Sequence, residues 1–407
     1  MKWLITVSRY LPEKVGGNFI YVNQFSEKLV EMGDTVHMVT TTLRKDLPSK
    51  EVIAGVTIHR ILVERGNMGP IWFNYTKRVT DFVKQLDEQE QFDCINPHSS
   101  FMINTSKLRS KPYILYTLHA VVTYEYLFHL KKLIKSGIIN KKTLKALIAM
   151  PVMLPLSFIR EWLNVKRANQ VIVMSHYVKG TIKSFLPGIN LNNVFISRIG
   201  IDNTFAPSTN KNRLKTVMNV NNKTSLLTVR RLESRMGIGN LINALSLLNK
   251  ADKLEGVTLH IAGKGSLQAT FEKQIQQLGL SKHIKLLGFV SDQALRQWYQ
   301  ISDAFVMPTE ELEGFGIVTI EAFASGIPVI ATPAGANPEI AGRYCPELIA
   351  KTQTQPSDLA DSIEIFLKNK AYYQSIDFSQ QAKVYFDWQK IITEIKFIFQ
   401  KNQAQQR

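Results

Sequence analysis

Cysteine is almost absent. Only Cys94 and Cys345 occur in 407 residues, far apart and outside any metal-ligand or redox spacing, which excludes a disulfide framework and points to a reducing compartment with two inert thiols. Negative charge is also scarce: 33 Asp and Glu stand against 50 Lys and Arg, for a formal charge of +17. Long apolar runs are missing too. The uncharged run Ala146–Ile159 has 14 residues and contains Pro151 and Pro155, whereas a membrane-spanning helix needs about 20 apolar residues. At the start, "MKWLITVSRYLPEK" has only a short apolar stretch before Arg9, so a first buried strand is expected there rather than a secretory signal.

What the sequence does contain is 45% hydrophobic and 10% aromatic residues, enough at this length for two hydrophobic cores. The basic excess is mostly N-terminal, with 27 basic against 15 acidic residues in 1–204. Nine Lys or Arg and one Glu lie within 131–167, interleaved with "LKALIAMPVMLPLSFIREW". That pattern fits an anionic membrane surface, and equally a core helix pair with a basic outer face. A cytoplasmic protein, peripheral on the inner face of the cell membrane if the first reading holds, is the expectation. Nothing resembles a nucleic-acid module, so no nucleic-acid partner is expected.

Short β-branched runs alternate with helix-length segments: "WLITVS", "DTVHMVT", "VTIHRI", "FDCIN", "PYILYTL", "QVIVMS" and "NVFIS", then "SLLTV", "VTLHIAG", "HIKLLGF", "DAFVMP" and "IPVIAT". This rhythm predicts an α/β fold of two doubly wound parallel sheets facing across a cleft, with ligands beyond the carboxyl ends of strands. A polar stretch near 205–223 sets the expected boundaries at 1–204 and 205–385. In 386–407, Trp388, Ile391, Ile392, Ile395, Ile398 and Phe399 recur at helical spacing and predict a final helix packing back on the N-terminal domain.

Three strand-to-loop junctions carry chemistry. In "DAFVMPTEELEGFGIVTIEAFASGIPVIATPAG" a strand leads through an acidic loop and Gly314-Phe315-Gly316 into a helix starting near Ile317. Free N–H groups at such a start suit a phosphate. Glu313 before the helix and Glu321 one turn inside it suit paired hydroxyls of a sugar and a ribose. A lone Glu is usually a solvated charge, but Glu321 lies in an apolar stripe, where an idle carboxylate is costly. In "LLTVRRLESRMGIGNLINALSLL", Arg230, Arg231 and Arg235 crowd one loop after a strand, as a pyrophosphate would require; a solvated basic loop is the alternative. In the first half, Gly16-Gly17 open a helix and "YILYTLHA" ends a strand at His119, where an imidazole can donate to a substrate oxygen or ease proton transfer. A single His there, like His98 in "FDCINPHSS", is also explained by structure alone. The remaining six histidines form no ligand cluster, so no metal and no bound cofactor are expected.

Taken together these stretches resemble glycosyltransferase family 4, the retaining GT-B enzymes that use nucleotide-sugar donors, across essentially the whole chain. The most specific match is Glu313-"GFGIVTI"-Glu321 followed by "AFASGIPVIATPAGANPEI"; "RRLESRMGI", "LHIAGKGS", "LLGFV", "VIVMSHYVK" and "ISRIGIDNTFAP" support it. The resemblance implies that Glu313 contacts the transferred sugar, that the main chain at Phe315, Gly316 and Ile317 meets sugar and phosphate, and that Glu321 holds the ribose. It further implies Arg231 and Arg235 on the diphosphate, Gly17 near the phosphates, Val290 near the base and His119 on the sugar or acceptor side. Two departures stand out. Met236 occupies the place of a family lysine, and Ala336 that of a second glycine, where its methyl is expected to tighten the approach of the sugar.

The implied activity is metal-independent transfer of a sugar, with retention, to a saccharide or lipid-linked hydroxyl acceptor in envelope polysaccharide or glycolipid synthesis. A nucleotide-sugar epimerase and a catalytically degenerate sugar-nucleotide-binding or membrane scaffold protein are the alternatives.

Overall fold

The computed structural model describes the chain except residues 9, 13–15, 64–69, 99–107, 109–111, 137–140, 221–222 and 407, together with the side chains of 70–76, 129, 131–136, 141–149, 153 and 403–406. Two units divide it, one made of Met1–Ile199 with Trp388–Arg407 and the other of Gly200–Asp387.

The first unit holds an eight-stranded sheet of β1 (Lys2–Thr6), β2 (Thr35–Thr42), β3 (Lys50–Ile53), β4 (Val56–Leu62), β5 (Cys94–Pro97), β6 (Tyr113–Leu118), β7 (Gln170–Val173) and β8 (Val194–Ile196). Their order is β3-β4-β2-β1-β5-β6-β7-β8, and only the β3–β4 pair is antiparallel. Strands covered on both faces lose the apolar-polar alternation of a half-exposed sheet. Accordingly all six residues of β6, "YILYTL", are buried. The edge strand β3 has no counterpart in the sequence reading. It reaches β4 through a two-residue turn at Ala54 (φ 48°) and Gly55 (φ 79°), a conformation usually signalled by Asn-Gly or Asp-Gly, and the alanine hides that signal.

The final helix, Trp388–Gln406, completes this unit. Ile391, Ile392, Ile395 and Phe399 are buried; Trp388 donates to Gln24 Oε1 at 3.1 Å and lies edge-on to Tyr21. Lys396 meets Asp34 at 2.6 Å, and Asn402 donates to Gln170 Oε1 at 3.0 Å.

The second unit has β9 (Thr224–Val229), β10 (Val257–Ala262), β11 (Ile284–Gly288), β12 (Ala304–Met307) and β13 (Val329–Ala331) in the order β11-β10-β9-β12-β13, all parallel. The helix Ile238–Lys250 after β9 buries Ile238, Leu241, Ile242, Leu245 and Leu248, the three-and-four spacing of one helical face. Both sheets therefore reverse direction once, between β1 and β5 and between β9 and β12. In doubly wound sheets such a reversal opens a crevice at the carboxyl ends of the two strands. No helix among the described residues is long and apolar enough to cross a membrane.

Candidate active site

At the reversal of the second sheet, the chain leaving β9 supplies Arg230 and the chain leaving β12 supplies Glu313. Arg230 Nη2 lies 2.6 Å from Glu313 Oε2, with side chains only 10% and 12% exposed. Thr309 Oγ1 donates to the same oxygen at 3.3 Å, so Oε1 is the carboxylate oxygen left without a bond among the described residues. Arg230 Nε is buried and has no hydrogen-bond partner among the described residues.

Backbone packing fixes this pair. Ala336 N donates to Glu313 O at 2.8 Å. Gly335 has φ +58°, and a Cβ there would stand 2.1 Å from that same carbonyl, so only glycine lets the β13 loop close on Glu313. Ala336 corrects the expectation drawn from its sequence position: it is 0% exposed in right-handed helical conformation. Its methyl fills the interior.

Eight residues after Glu313, Glu321 lies within the helix Ile317–Ala324, which starts at Gly316 with no side-chain cap. Glu321 is buried and its Oε2 accepts from Tyr299 Oη at 2.9 Å. Burial raises its pKa to about 7, against the pull of the Tyr299 hydrogen bond. Phe315 is buried, while Gly316 is buried and Ile317 half-buried.

In the basic loop, Arg231 is exposed and Arg235 half-buried. Arg235 Nη1 donates to Leu312 O at 3.3 Å and its carbonyl accepts from Glu310 N at 3.0 Å, which ties the loop to the Glu313 segment. Glu233 fastens the other side by accepting from Ser266 N at 3.0 Å and Ser266 Oγ at 2.8 Å. Met236 is 5% exposed and packs inward, so the cations of this loop are its arginines. Val290, beyond β11, is half-buried; its neighbour Phe289 is 74% exposed and offers an aromatic face.

The first unit gathers a second set of groups at its own reversal. Gly17 is exposed in the first turn of the helix Gly16–Glu31. His119, just past β6, is half-buried, and its Nε2 lies 3.1 Å from Nδ1 of His98, just past β5. Tyr21 from the helix packs its ring edge-on against His119 at 5.2 Å.

Sequence reasoning singled out Glu313, Glu321, Arg231 and Arg235, and the structure brings their segments together. Arg230, grouped by sequence with Arg231 and Arg235 as a pyrophosphate loop, instead meets Glu313. The usable signal was its position, first after β9, at the strand end beside the reversal. Tyr299 gave no such signal, since its contact with Glu321 joins two separate helices.

Comparisons with known proteins bear on what this site does. Residues 210–383 match the family described as Glycosyl transferases group 1. An uncharacterized glycosyltransferase of Methanocaldococcus jannaschii is 25% identical, covering 97% of this chain and 96% of its own. The structure is similar to sucrose-phosphate synthase of Thermosynechococcus elongatus (TM-score 0.78, 18% identity, 99% of both chains). It is also similar to Anabaena HepE in complex with UDP and glucose (TM-score 0.72, 18% identity, 98% of this chain and 100% of that one). The chain thus has the GT-B fold, and its residues 210–383 match the glycosyl transferases group 1 family.

Proposed function

We propose that this protein transfers a sugar from a nucleotide-diphosphate donor to a hydroxyl acceptor, with retention of anomeric configuration and without a metal ion. The observation that carries the reading is the Arg230–Glu313 pair, 2.6 Å apart where the second sheet reverses, with Glu321 buried one turn into the following helix. Arg230 and Thr309 hold Glu313 through one oxygen and leave the other to accept from a sugar hydroxyl. Glu321 accepts from the ribose. Arg231, Arg235 and the uncapped helix start at Ile317 supply positive charge where the diphosphate develops negative charge on leaving, which is the role a metal would otherwise fill. As the anomeric carbon–oxygen bond breaks, the departing phosphate oxygen takes the proton of the acceptor hydroxyl on the same face, and that hydroxyl oxygen closes the new glycosidic bond. Gly17 serves the phosphates, His119 the sugar or acceptor, and Val290 the base, with the main chain of Phe315, Gly316 and Ile317 along sugar and phosphate.

The acceptor we propose is a saccharide or lipid-linked intermediate of envelope polysaccharide or glycolipid synthesis, met at an anionic membrane surface through 131–167. The helix Lys141–Arg167 leaves Val152 63% and Ile159 50% exposed, and Lys166 lies over the Trp162 ring at 4.4 Å; the side chains of Lys131, Lys132, Lys141 and Lys142 lie outside the described residues. Salt-sensitive sedimentation with anionic vesicles tests this, and equal binding by a variant neutralised at those four lysines removes the patch.

The activity is tested with UDP-, GDP- and ADP-sugars against an acceptor panel, reading released nucleotide. Glu313→Ala and Glu321→Ala are expected to abolish turnover; retention of it by either variant overturns the assignment. Sugar isomerisation without acceptor would instead indicate an epimerase.

A further inference from the structure

The first unit contains a directional chain of hydrogen bonds ending at His119. Asn96 Nδ2 donates to Leu115 O and, at 2.9 Å, to Thr117 Oγ1. A backbone carbonyl only accepts, so the amide nitrogen must face it and Asn96 Oδ1 must face His98. That oxygen also only accepts, so His98 Nε2, bonded to it, carries a hydrogen. His98 is 4% exposed, and burial, reinforced by the neighbouring His119, holds its pKa well below the ordinary value. A neutral imidazole protonated at Nε2 has a lone pair on Nδ1. His119 Nε2 lies 3.1 Å from His98 Nδ1 and must donate to that lone pair. His119 is itself kept neutral, its pKa lowered by burial to about 4. Among the described residues, the titratable groups packed on it are His98 from the β5 end and Tyr21 from the helix Gly16–Glu31.

We propose that Asn96 and His98 are positioning residues that fix His119 in its Nε2–H tautomer, so that His119 Nδ1 presents a lone pair and accepts a hydroxyl hydrogen. A lone pair attracts a sugar or acceptor hydroxyl and repels a phosphate oxygen, so the relay sets what His119 recognises. Only the identity of that hydroxyl rests on the transferase reading. The tautomer is a property of the unliganded protein, so failure of the transfer assay and failure of the relay are separate results.

Long-range proton–nitrogen NMR of the full-length chain labelled with nitrogen-15 histidine reads the tautomer directly, with the His119 signals identified by their loss in His119→Asn. Nε2–H with bare Nδ1 is expected from pH 5.5 to 8. His98→Phe keeps a ring beside Tyr21 but removes the acceptor, and should let His119 sample both tautomers. His98→Gln returns an acceptor oxygen and should restore the wild-type pattern. In transfer assays the Phe variant is expected to lose roughly tenfold to a hundredfold in kcat, the scale seen for partners that orient ligating histidines, with Gln recovering most of it. A wild-type His119 protonated at Nδ1, or an unchanged His119 signature in His98→Phe, overturns the proposal. If His98→Phe does not fold, the wild-type and His98→Gln spectra decide alone.

Discussion

Donor binding should strengthen as pH rises from 6 to 8, and Glu321 is the reason. Its carboxyl has a pKa of about 7, raised mainly by burial. Ribose hydroxyls donate hydrogen bonds, and an ionised carboxylate accepts them with both oxygens, whereas a protonated one has a proton of its own to place. If only the ionised form binds, about one molecule in eleven is competent at pH 6 and about ten in eleven at pH 8. The expected gain is therefore about tenfold in affinity, or about 1.4 kcal/mol. A nucleotide sugar is the right probe, because its diphosphate is a diester and keeps its charge across this range. Isothermal titration of wild type and Glu321→Gln at four pH values measures the effect. The amide cannot titrate, so its affinity should be weaker at pH 8 and independent of pH. A flat wild-type profile, or an equal slope in both proteins, would refute the argument.

The same group predicts the opposite trend for stability. A carboxyl with a raised pKa in the folded state binds a proton there that the unfolded chain has released. Its stabilising contribution is complete below the ordinary value of 4.5 and is lost as pH rises through about 7, a change of at most about 3 kcal/mol. The difference between wild type and Glu321→Gln in urea denaturation isolates it, since every other titrating group is common to both. Glu321→Gln should gain on wild type as the solution becomes more alkaline, so the pH range that favours donor binding is the one in which this carboxylate contributes least to the fold.

Other outcomes follow from the same geometry. Arg230→Ala leaves Glu313 without its partner in a largely enclosed place and should cost about 3 kcal/mol of stability in denaturant unfolding, with Arg230→Lys recovering part; an unperturbed Arg230→Ala protein would show that the pair is not formed in solution. Gly335→Ala forces a methyl against the Glu313 carbonyl at positive φ and should lower both melting temperature and turnover, by about 1–3 kcal/mol in stability. His59, His119 and His260 have pKa values lowered by burial to about 4. The unfolded chain protonates them first, so stability should fall as pH drops from about 6.5 toward 4; equilibrium unfolding across that range measures it, and a flat profile refutes it.

The fold was legible because period and punctuation agree: β-branched runs bounded by polar segments mark twelve of the strands, while the positions of the two reversals rest on strand pairing that the runs do not carry. The strand Lys50–Ile53 was not legible, because Ala54 occupies a position where the chain normally advertises itself with Asn or Asp. The site was legible where one short segment carries both ends of a relation, as Glu313 and Glu321 do. Relations across the sheet were not. Arg230 and Glu313 are 83 residues apart, and the inward packing of Met236 and Ala336 depends on loops that sequence periodicity does not describe.

The first unit is assembled from two stretches of chain with Gly200–Asp387 between them. During synthesis at about 5–20 residues per second, its sheet emerges from the ribosome roughly ten to forty seconds before the helix that covers Tyr21 and engages Asp34. In that interval Tyr21 and Phe25 lack the Trp388 ring that packs on them, and Asp34 lacks Lys396. The nascent first unit is thus an unfinished surface awaiting its own C-terminal residues, and a chain cut short before Trp388 leaves it open to chaperones and proteases.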